Sequence, residues 1–540
     1  ETQNRIIQCI EVYKNTGLEM VMGDDWCSIN VPDAKTIDYW ECSENPLNQC
    51  VLPRNKFCKI RCSLVPTQLI VKSYIAMIEY PTIARPSLVN MCYEEFNSFS
   101  NRQGSSKNLM LTKPKVHDCV QLLIGVYFDK QNSQQLMRYY KNHPITLDVN
   151  KSYEWVRTHN YPDDVMRSII DLWNNGFEMD PLNRYQLHGK VEQTTKLEKM
   201  QRWYDQVISR SILAMSYCKA AIFGPVFIEV KNRIKSCLRK EVMYVDGMTA
   251  QQVNSKLKQF RSQQIVVESD MEAQDCQTTR QMIEIEFEVY KLMGVDRAVL
   301  ELYKMCHYNW TWKGIGIRGT CDAMRLTGQT TTAVGNFITN MVVQSTLVAA
   351  NYNTMGLIMF LGDDFVATNN GKVDIAKHGT VTKEMHNMVT KVKQQTLVGS
   401  FLSMVLDCTG KNPELVPWFR RLKHRYSLCN YSYESKVMAE KINQRTLSYC
   451  HILGGINECR KIAKSIDPNS NIESWYNVQK AINSNSMLDK CSNAEVENQI
   501  TELLRMMSDR APTIYEMQII IADSLRPPPR QRMITSQSVS

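Results

Sequence analysis

The stretch GLIMFLGDDFVAT, from Gly356 to Thr368, places two adjacent aspartates between an apolar segment and a second β-prone segment. This pattern predicts a β-hairpin with Asp363 and Asp364 at its turn. Neighbouring carboxylates are costly to hold together unless a cation neutralises them, and oxygen-only ligands on a rigid turn suit Mg²⁺ or Mn²⁺. Gly-Asp-Asp is also an ordinary turn sequence, so other motifs of the chain are needed to distinguish a metal site from a simple turn.

A second Gly-Asp-Asp provides an internal comparison. The segment MGDDWCS contains the same tripeptide at Asp24 and Asp25. No partner acid motif or helical pattern lies at a suitable distance upstream of that copy, whereas the copy at Gly362 has both. We therefore interpret the first copy as a solvated turn and the second as a metal-binding hairpin.

The first partner motif is IVVESDMEAQDCQ, from Ile265 to Gln277. A short β-branched strand leads to Asp270, Asp275 follows five residues later, and an amphipathic helical pattern comes next. An aspartate at a strand end can approach Asp363 from the neighbouring strand. Nucleotidyl transfer by two metal ions about 4 Å apart needs such converging carboxylates. Two surface acids that cap a helix are the alternative interpretation.

The second partner motif is RLTGQTTTAVGNFITN, from Arg325 to Asn340. A loop containing Thr327 and Gly328 opens into a helix with apolar residues at helical spacing. Thr332 and Asn336 share one face of that helix, and the Gly328 loop is expected to stay flexible. Such a polar face can contact a sugar and a template base. A chance Thr/Asn stripe is the alternative, but this stripe lies between the two acid motifs.

Composition sets only broad limits. The chain has 540 residues, 43% of them hydrophobic, and a net charge of +9 that suits a polyanion-binding protein without requiring one. No run of about 18 apolar residues occurs, so no intrinsic transmembrane segment is expected. The 18 cysteines are scattered, which favours reduced thiols. A zinc site at Cys58 and Cys62 is disfavoured because no histidine lies nearby.

The chain divides into five predicted regions. Residues 1–145 carry no readable motif and form an N-terminal extension of uncertain fold. Helical periodicity and positive charge dominate residues 146–262, and a strand, helix, strand pattern over 263–410 predicts a compact catalytic domain. Amphipathic segments with basic clusters predict a helical domain over 411–510. Residues 511–540, rich in proline, arginine and small polar residues, are predicted to be a flexible tail.

The three motifs together resemble the palm motifs A, B and C of positive-strand RNA virus polymerases. Their order is Asp270-x4-Asp275, then Thr327-Gly-x3-Thr332-x3-Asn336, then Gly362-Asp363-Asp364. The similarity is greatest to the alphavirus-like supergroup, particularly tobamovirus-like replicases, and extends over about residues 150–450. Three further runs support it: YQLHGKVEQTTKLE (Tyr185 to Glu198), KAAIFGPVF (Lys219 to Phe227) and EFEVYKLMGVD (Glu286 to Asp296).

The resemblance implies an α+β right-hand fold. Fingers would span 146–262, a palm with an antiparallel sheet 263–410 and a thumb 411–510, with mainly helical fingers and thumb. A helical fingers insert would occupy 297–320 within the palm region. The N-terminal extension is hypothesised to bridge fingers and thumb, because it precedes the fingertip lysines.

The resemblance also implies metal and ribose contacts. Asp270 and Asp363 would be the principal ligands of two Mg²⁺ or Mn²⁺ ions, and Asp364 would assist them. Asp275 and Asn336 would read the ribose 2′-hydroxyl of the incoming nucleotide.

Further roles follow from the same likeness. Thr327, Gly328 and Thr332 would hold the template and the incoming nucleotide. Lys190 and Lys196 fall where the fingertip motif F places basic residues over the triphosphate. A lysine often found between them in the family is absent from this sequence.

Downstream, either Lys391 or Lys393 would be the motif D lysine, a candidate general acid for pyrophosphate departure. The run GSFL, from Gly399 to Leu402, would be the motif E turn that grips the primer end. Two positions depart from the family pattern: Thr327 stands where serine is usual, and Gln274 where an apolar residue is usual. Neither change removes a metal ligand, so an active enzyme is expected.

The implied activity is template-directed RNA synthesis from NTPs on an RNA template with a primer or nascent strand. Because the chain begins with Glu1, it is expected to be a segment of a longer polypeptide. The resemblance to tobamovirus-like replicases implies a polyprotein that also holds methyltransferase and helicase domains. Membrane-associated replication complexes in the host cytoplasm would be the location, with only indirect membrane contact. Two alternatives remain open: a reverse transcriptase, which Asp275 and Asn336 disfavour, and a non-enzymatic RNA-binding scaffold.

Overall fold

A computed structural model of the chain describes residues 59–62, 73–77, 86–87, 98–99, 109–175, 182–190, 192–193, 210–272, 274–314, 317–321, 325–373, 375–426, 428–432 and 435–510. The described residues do not include Asp24, Asp25, Cys58, Lys196 or the tail at 511–540. Helices and strands are mixed along the chain, which agrees with the predicted α+β class.

The strands of the described residues fall into two five-stranded sheets, one three-stranded sheet and two isolated pairs. Their bounds are β1 Lys59–Cys62, β2 Ser73–Met77, β3 Pro86–Ser87, β4 Arg184–Lys190, β5 Glu192–Gln193, β6 Arg210–Ala214, β7 Val242–Tyr244, β8 Ile265–Glu272, β9 Trp310–Lys313, β10 Ile317–Cys321, β11 Met355–Leu361, β12 Asp364–Asn369, β13 Val389–Thr396, β14 Val398–Phe401, β15 Met404–Asp407, β16 Glu414–Pro417 and β17 Leu428–Ser432.

Along the chain, the described helices lie between these strands and after the last of them. Their bounds are α1 Val116–Tyr127, α2 Asn132–Asn142, α3 Val149–Thr158, α4 Asp163–Asn175, α5 Tyr217–Cys237, α6 Ala250–Leu257, α7 Gln274–Gln277, α8 Arg280–Leu292, α9 Arg297–Lys304, α10 Thr332–Ala350, α11 Ala376–His386, α12 Phe419–Tyr426, α13 Ser435–Ile452, α14 Asn457–Ile466, α15 Val478–Asp489 and α16 Asn493–Arg510.

The central sheet, with strand order β13-β8-β12-β11-β7, contains both acid motifs. Strands β11 and β12 form the predicted hairpin, in which Leu361 faces Asp364. Strand β8 is antiparallel to both β12 and β13, so the strand carrying Asp270 is a direct neighbour of the hairpin. The expected antiparallel sheet is confirmed except at one edge, where β7 runs parallel to β11.

Strands β11 and β12 of the central sheet are buried on both faces of the sheet, which is why they are mainly apolar, whereas the edge strand β13 is polar and partly exposed. On one face Val267, Phe360 and Phe365 lie in a core shared with α1 and α10. On the other face Val266 and Val366 pack against α6 and the small sheet, β14-β15-β16. The acid-bearing strands are thus held between helices and a second layer of strands.

Helix α10 is the most apolar long helix among the described residues. An 18-residue stretch of this 19-residue helix has a mean hydropathy of 1.2, enough by length and composition to cross a membrane, but 72% of that stretch is buried inside the protein. Phe337 stacks on Tyr244 with ring centroids 3.9 Å apart, and also meets Phe360 of β11 edge-on at 5.4 Å. These contacts are those of a core helix that supports a sheet.

The second sheet, with strand order β1-β10-β9-β4-β6, corrects one prediction. The insert at 297–320 was expected to be helical, but among its described residues only α9 is a helix, and β9 and β10 form a strand pair. Trp310 and Trp312 are buried while Lys313 is exposed, so apolar residues recur with the period of a strand. Strands β4 and β6 likewise interrupt the region predicted to be dominated by helices.

Helices α1 and α2 precede the predicted domain boundary at residue 145. Helix α1 packs against α8 and α10, and Tyr127 meets Phe360 of the central sheet edge-on at 5.5 Å. Residues before the boundary therefore contribute to the core around the central sheet. The division of the chain into domains remains a prediction.

The C-terminal helices, α12 to α16, enclose a separate core. Phe419, Leu453 and Leu503 are among its fully buried residues. The mainly helical character predicted beyond residue 411 agrees with these elements, although β16 and β17 are also present.

Candidate active site

The three predicted carboxylates lie at one end of the central sheet. Gly362 has a φ of +56°, which a two-residue hairpin with glycine at its first turn position requires. Asp363 occupies the turn and Asp364 begins β12. Because Phe365 faces Ser269 in the antiparallel pair, Asp364 comes next to Asp270. All three aspartates are exposed to solvent.

This donor set fits a hydrated magnesium ion. Among the described residues, no three Asp, Glu, His or Cys side chains are close enough together to hold a metal ion by themselves. Mg²⁺ usually keeps several waters and binds through one or two carboxylates together with substrate phosphates. Oxygen donors exposed at a strand end therefore suit an ion that arrives with its nucleotide.

Two buried amides on α10 hold the acid-bearing strands. Asn340 Nδ2 donates to the Gly362 carbonyl at 3.2 Å, and Gln344 Nε2 donates to Ser269 Oγ at 2.8 Å. One contact fixes the hairpin turn, and the other fixes the strand of Asp270. Sequence analysis did not assign these roles, although two amides four residues apart inside an otherwise apolar helix were a usable signal.

The loop before α10 is tied to the second sheet. Thr327 Oγ1 accepts a hydrogen bond from the Leu213 amide at 3.2 Å, and the Gly328 carbonyl accepts one from the Met215 amide at 3.2 Å. A Cβ on Gly328 would lie 2.3 Å from the Leu213 carbonyl oxygen and 2.7 Å from Ala214 Cα. Gly328 is therefore needed for close backbone approach, and the loop is fixed where a flexible one was expected.

Replacing Gly328 with alanine is expected to displace this loop, because the clashing atoms belong to a backbone that has no side-chain freedom to yield. We expect a loss of about 1–3 kcal/mol in the free energy of unfolding, the usual range for overpacking, and at least a tenfold fall in the proposed RNA synthesis. Gly125→Ala in α1 is the matched control, since nothing lies within 4 Å of its added Cβ. Equal effects of the two substitutions in thermal unfolding and synthesis assays would contradict this account.

Thr332 and Asn336 lie at the start of α10, as predicted. Thr332 Oγ1 donates to the Leu326 carbonyl at 2.7 Å, so this hydroxyl closes the loop onto the helix. Gln274, in the short helix α7, donates from Nε2 to the Asn336 carbonyl at 3.5 Å. Asn336 Oδ1 is buried and has no hydrogen-bond partner in the described part of the chain. Gln274, which departs from the family pattern, thus links the helix of Asp275 to the helix of Asn336.

A buried ion pair lies beneath the site. Arg325 Nη1 donates to Glu286 Oε1 at 3.2 Å, Nη2 contacts Oε2, and both side chains are fully buried. Burial alone would lower the pKa of Arg325, but the Glu286 carboxylate raises it above its usual value, with a smaller contribution from Asp275. The Tyr290 hydroxyl also donates to Glu286. Sequence analysis did not identify this pair, which links α8 to the segment before α10.

The two candidate motif D lysines lie on β13 beside β8. Lys391 faces Asp270 across the antiparallel pair, whereas Lys393 faces Glu268, farther from the acid turn. Both lysines are exposed, and Lys391 forms an ion pair with Glu272 at 3.2 Å. The strand register therefore brings Lys391 closer to the acid-bearing end of the sheet than Lys393.

Glu268 connects the strand of Asp270 to the run predicted as motif E. Its carboxylate accepts hydrogen bonds from the Ser400 amide at 2.6 Å, the Ser400 hydroxyl at 2.7 Å and Gln395 Nε2 at 2.9 Å. Strands β14 and β15 form a hairpin with Leu402 and Ser403 at positive φ. Sequence analysis did not single out Glu268, which anchors this hairpin two residues from Asp270.

Of the two lysines predicted to lie at the fingertips, Lys190 is among the described residues. Lys190 ends β4, where it faces Arg210 in the second sheet. Lys196 lies outside the described residues. The structure therefore places the three predicted aspartates at one end of the central sheet and links the helix of Asp275 to that of Asn336. The roles of the fingertip lysines stay a prediction.

Comparison with known protein families identifies the family of this chain. The sequence model of a family described as RNA dependent RNA polymerase matches residues 105–417. The chain belongs to the RNA-dependent RNA polymerase family. The matched region contains the central sheet, α10 and every predicted site residue of the three motifs.

Viral replicases are among the relatives of this polymerase-family chain. It is 25% identical to the RNA replication polyprotein of Citrus leaf blotch virus over 222 residues, which cover 41% of this chain and 10% of that protein. It is 26% identical to the replicase large subunit of Tobamovirus Ob over 123 residues, 22% of this chain and 8% of that one. It is 30% identical to the replicase large subunit of Potato mop-top virus over 95 residues, which cover 17% of this chain and 5% of that protein.

These relatives confirm the resemblance to replicases of the alphavirus-like supergroup. The matched segments cover no more than 10% of the Citrus leaf blotch virus protein and 8% of the tobamovirus protein.

Proposed function

We propose that this chain copies an RNA template, transferring a nucleoside monophosphate from an NTP to an RNA 3′-end. The observation that carries the proposal is the register of the central sheet, which sets Asp270 beside the Asp363-Asp364 turn. Two Mg²⁺ or Mn²⁺ ions held by these carboxylates would lower the pKa of the attacking 3′-hydroxyl and neutralise the triphosphate.

The chain's own residues would select and orient the nucleotide. The unpartnered, buried Oδ1 of Asn336 is suited to accept a hydrogen bond from a ribose 2′-hydroxyl, with Asp275 on the adjoining helix. Thr327, Gly328 and Thr332 form the fixed loop that would position the template base. This pairing supports ribonucleotides over deoxyribonucleotides as substrates.

The departing pyrophosphate needs a proton. Of the two candidates, Lys391 is the better general acid, because it lies across from Asp270 whereas Lys393 lies two positions farther along β13. Lys190 and Lys196 would contact the triphosphate from the fingertips. The hairpin around Ser400, fixed by Glu268, would hold the primer end.

The proposed right hand follows from the same elements. The central sheet would be the palm, the second sheet with its neighbouring helices the fingers, and the C-terminal helices the thumb. Strand β1 pairs with β10 of the second sheet, and β2 pairs with β17, which precedes α13. These two pairings support the hypothesis that the N-terminal extension bridges fingers and thumb.

The biological setting is proposed by analogy with the relatives. Their printed names describe replication polyproteins and a replicase large subunit. This chain would accordingly work beside methyltransferase and helicase domains of one polyprotein, in membrane-associated complexes of the host cytoplasm, with an RNA template, a primer or nascent strand, and NTPs as partners.

A primer-extension assay separates this function from its alternatives. Purified chain is incubated with a primed RNA template, Mg²⁺ and either NTPs or dNTPs. Extension by NTPs, with dNTPs used at least tenfold less well, is the expected result. Equal use of dNTPs would favour a reverse transcriptase. RNA binding without any synthesis, under Mg²⁺ or Mn²⁺, would favour a scaffold.

A further inference from the structure

A cavity of about 650 Å³ lies between the small sheet and the C-terminal helices. Its lining comes from the tip of the β14–β15 hairpin, the start of α6, helices α12 and α13, and the loop before α15. The volume is within the roughly 300–1,000 Å³ of typical ligand sites. None of the predicted metal or ribose residues belongs to the described lining, so the cavity lies outside the proposed catalytic centre.

Two tryptophans form aromatic walls of the cavity. Trp418 Nε1 donates to Asp489 Oδ1 at 3.1 Å, and Trp475 Nε1 donates to the His451 carbonyl at 3.1 Å. Both tryptophan side chains are half-buried. Because these hydrogen bonds occupy the ring N–H groups and fix the indoles, the rings offer a ligand apolar surface at low entropic cost.

The tip of the hairpin has an unusual backbone. Leu402 and Ser403 have φ of +53° and +65°, the conformation of a type I′ turn, which asparagine and glycine normally occupy. A left-handed backbone is unfavourable for leucine. Leu402 packs against the core of the small sheet and also lines the cavity. Backbone strain of this kind is concentrated at binding sites, which favours a binding role for Leu402.

The polar groups of the lining are mostly donors. Gln251, Ser448, Asn471 and Arg425 are exposed, and each can donate a hydrogen bond. Glu473 is the only acid of the described lining, is exposed, and forms no ion pair within the part of the chain that the structure describes. This lining suits a ligand that has carbonyl acceptors, apolar rings and a cation.

The chain carries such a ligand after α16. Residues 525–530 read Leu-Arg-Pro-Pro-Pro-Arg. Successive prolines favour the polyproline II conformation, which leaves the carbonyls free, and proline has no N–H to satisfy. Proline-rich segments of this kind dock in aromatic-lined grooves, because little conformational entropy is lost. Arg526 and Arg530 flank the prolines and supply the cation.

The segment can reach the cavity. Glu502 of α16 forms an ion pair with Lys423 of α12, which is next to the cavity-lining Leu422. Helix α16 continues from Glu502 to Arg510, a rise of about 12 Å. Residues 511–524 can span at most about 50 Å when extended. A tether of this length gives an effective concentration on the order of millimolar, so that even a weak contact would be occupied.

We propose that segment 525–530 docks in this cavity, with its prolines on Trp418 and Trp475 and one flanking arginine paired with Glu473. The docked segment would cover the tip at Leu402, which belongs to the hairpin proposed to hold the primer end. It would therefore compete with the primer. This consequence rests on the proposed function, whereas the docking itself requires no synthesis.

Photocrosslinking in the full chain locates the segment. The photoreactive p-benzoylphenylalanine replaces Leu525, and adducts are mapped by mass spectrometry. Adducts on the peptides that contain Leu402 or Trp475 are expected, and the same probe in place of Val539 is the matched control and should give few of them. Adducts confined to other peptides would overturn the proposal. In a mixture of isotope-labelled and unlabelled chain, adducts that join labelled to unlabelled peptides would contradict docking within one chain.

The affinity of the prolines is measured with a fluorescent peptide of residues 522–533. The full chain carries Pro527→Gly/Pro528→Gly/Pro529→Gly, so that its own segment competes little with the peptide. A peptide with the same three glycines should bind about tenfold or more weakly, because flexible residues lose more entropy on docking. Equal affinity of the proline and glycine peptides would refute the assignment of the cavity to the prolines.

Charge reversal tests the ion pair in the same assay. Glu473→Arg should weaken binding by up to about fivefold, the range of an exposed pair. A peptide with Arg526→Glu/Arg530→Glu should recover this loss. Glu458→Arg is the matched control, because Glu458 is an exposed acid of α14 outside the lining. Equal effects of Glu473→Arg and Glu458→Arg would contradict the proposed pairing.

Primer extension tests the competition separately. The chain with three glycines should have a lower KM for primer than the parent, at an unchanged kcat. An unchanged KM would refute competition with the primer. A chain that gives the expected adducts but makes no RNA would count against the proposed function and not against the docking.

Discussion

Asp363→Ala is expected to lower the rate of nucleotide incorporation by about a thousand-fold or more, while Asp24→Ala leaves the rate unchanged. Charge stabilisation by catalytic metal ions contributes several kcal/mol to lowering a reaction barrier, and about 4 kcal/mol corresponds to a thousand-fold in rate. Asp363 is exposed at a hairpin turn whose fold depends on Gly362, so the substitution should leave thermal unfolding unchanged. The other Gly-Asp-Asp, at Asp24 and Asp25, supplies a control that has the same tripeptide.

The assay is single-nucleotide extension of a primed RNA, followed at saturating Mg²⁺ for the parent and both variants. Asp270→Ala should match Asp363→Ala, because the two carboxylates lie on neighbouring strands and would share the metal ions. Synthesis that survives in Asp363→Ala but is lost in Asp24→Ala would reverse the assignment of the two tripeptides. Intact RNA binding by the inactive variant would confirm that chemistry alone was removed.

Local pattern was enough to predict the elements around the acid motifs. The hairpin at Asp363, the strand of Asp270 and helix α10 each have a hydrophobic period that matches their structure, and each is bounded by glycine or polar residues. Motif order then identified which acids belong together. This information is contained within short windows of sequence, so it could be recovered without knowing the fold.

Contacts between distant segments could not be predicted in this way. Which of Lys391 and Lys393 faces Asp270 depends on the register of β13 against β8, and no local sequence pattern specifies that register. The anchoring of Ser400 by Glu268 joins residues 132 positions apart. The strands at 310–321 were missed because a short alternating segment next to glycine gives only a weak signal, although Trp310 and Trp312 recur with period two.

The buried ion pair of Arg325 and Glu286 leads to the largest expected effect on stability. Arg325→Ala should lower the free energy of unfolding by about 3–5 kcal/mol, the usual loss when one member of a buried pair is removed. The Glu286 carboxylate would then remain in the core with only the Tyr290 hydroxyl as a partner among the contacts described. Chemical unfolding followed by circular dichroism measures this loss.

Lys291→Ala is the matched control, because Lys291 forms a solvent-exposed pair with Glu288 on the same helix α8, with 3.1 Å between Nζ and Oε1. Exposed pairs contribute about 0–1 kcal/mol, so this variant should unfold almost like the parent. Arg325→Met/Glu286→Met should be more stable than Arg325→Ala alone, since no unpaired charge remains in the core. The Arg325 guanidinium packs closely on Gly335 of α10, since a Cβ added to that glycine would lie 2.4 Å from Nη1. A double variant as unstable as Arg325→Ala would therefore mean that stability is lost through this packing and not through an unpaired charge.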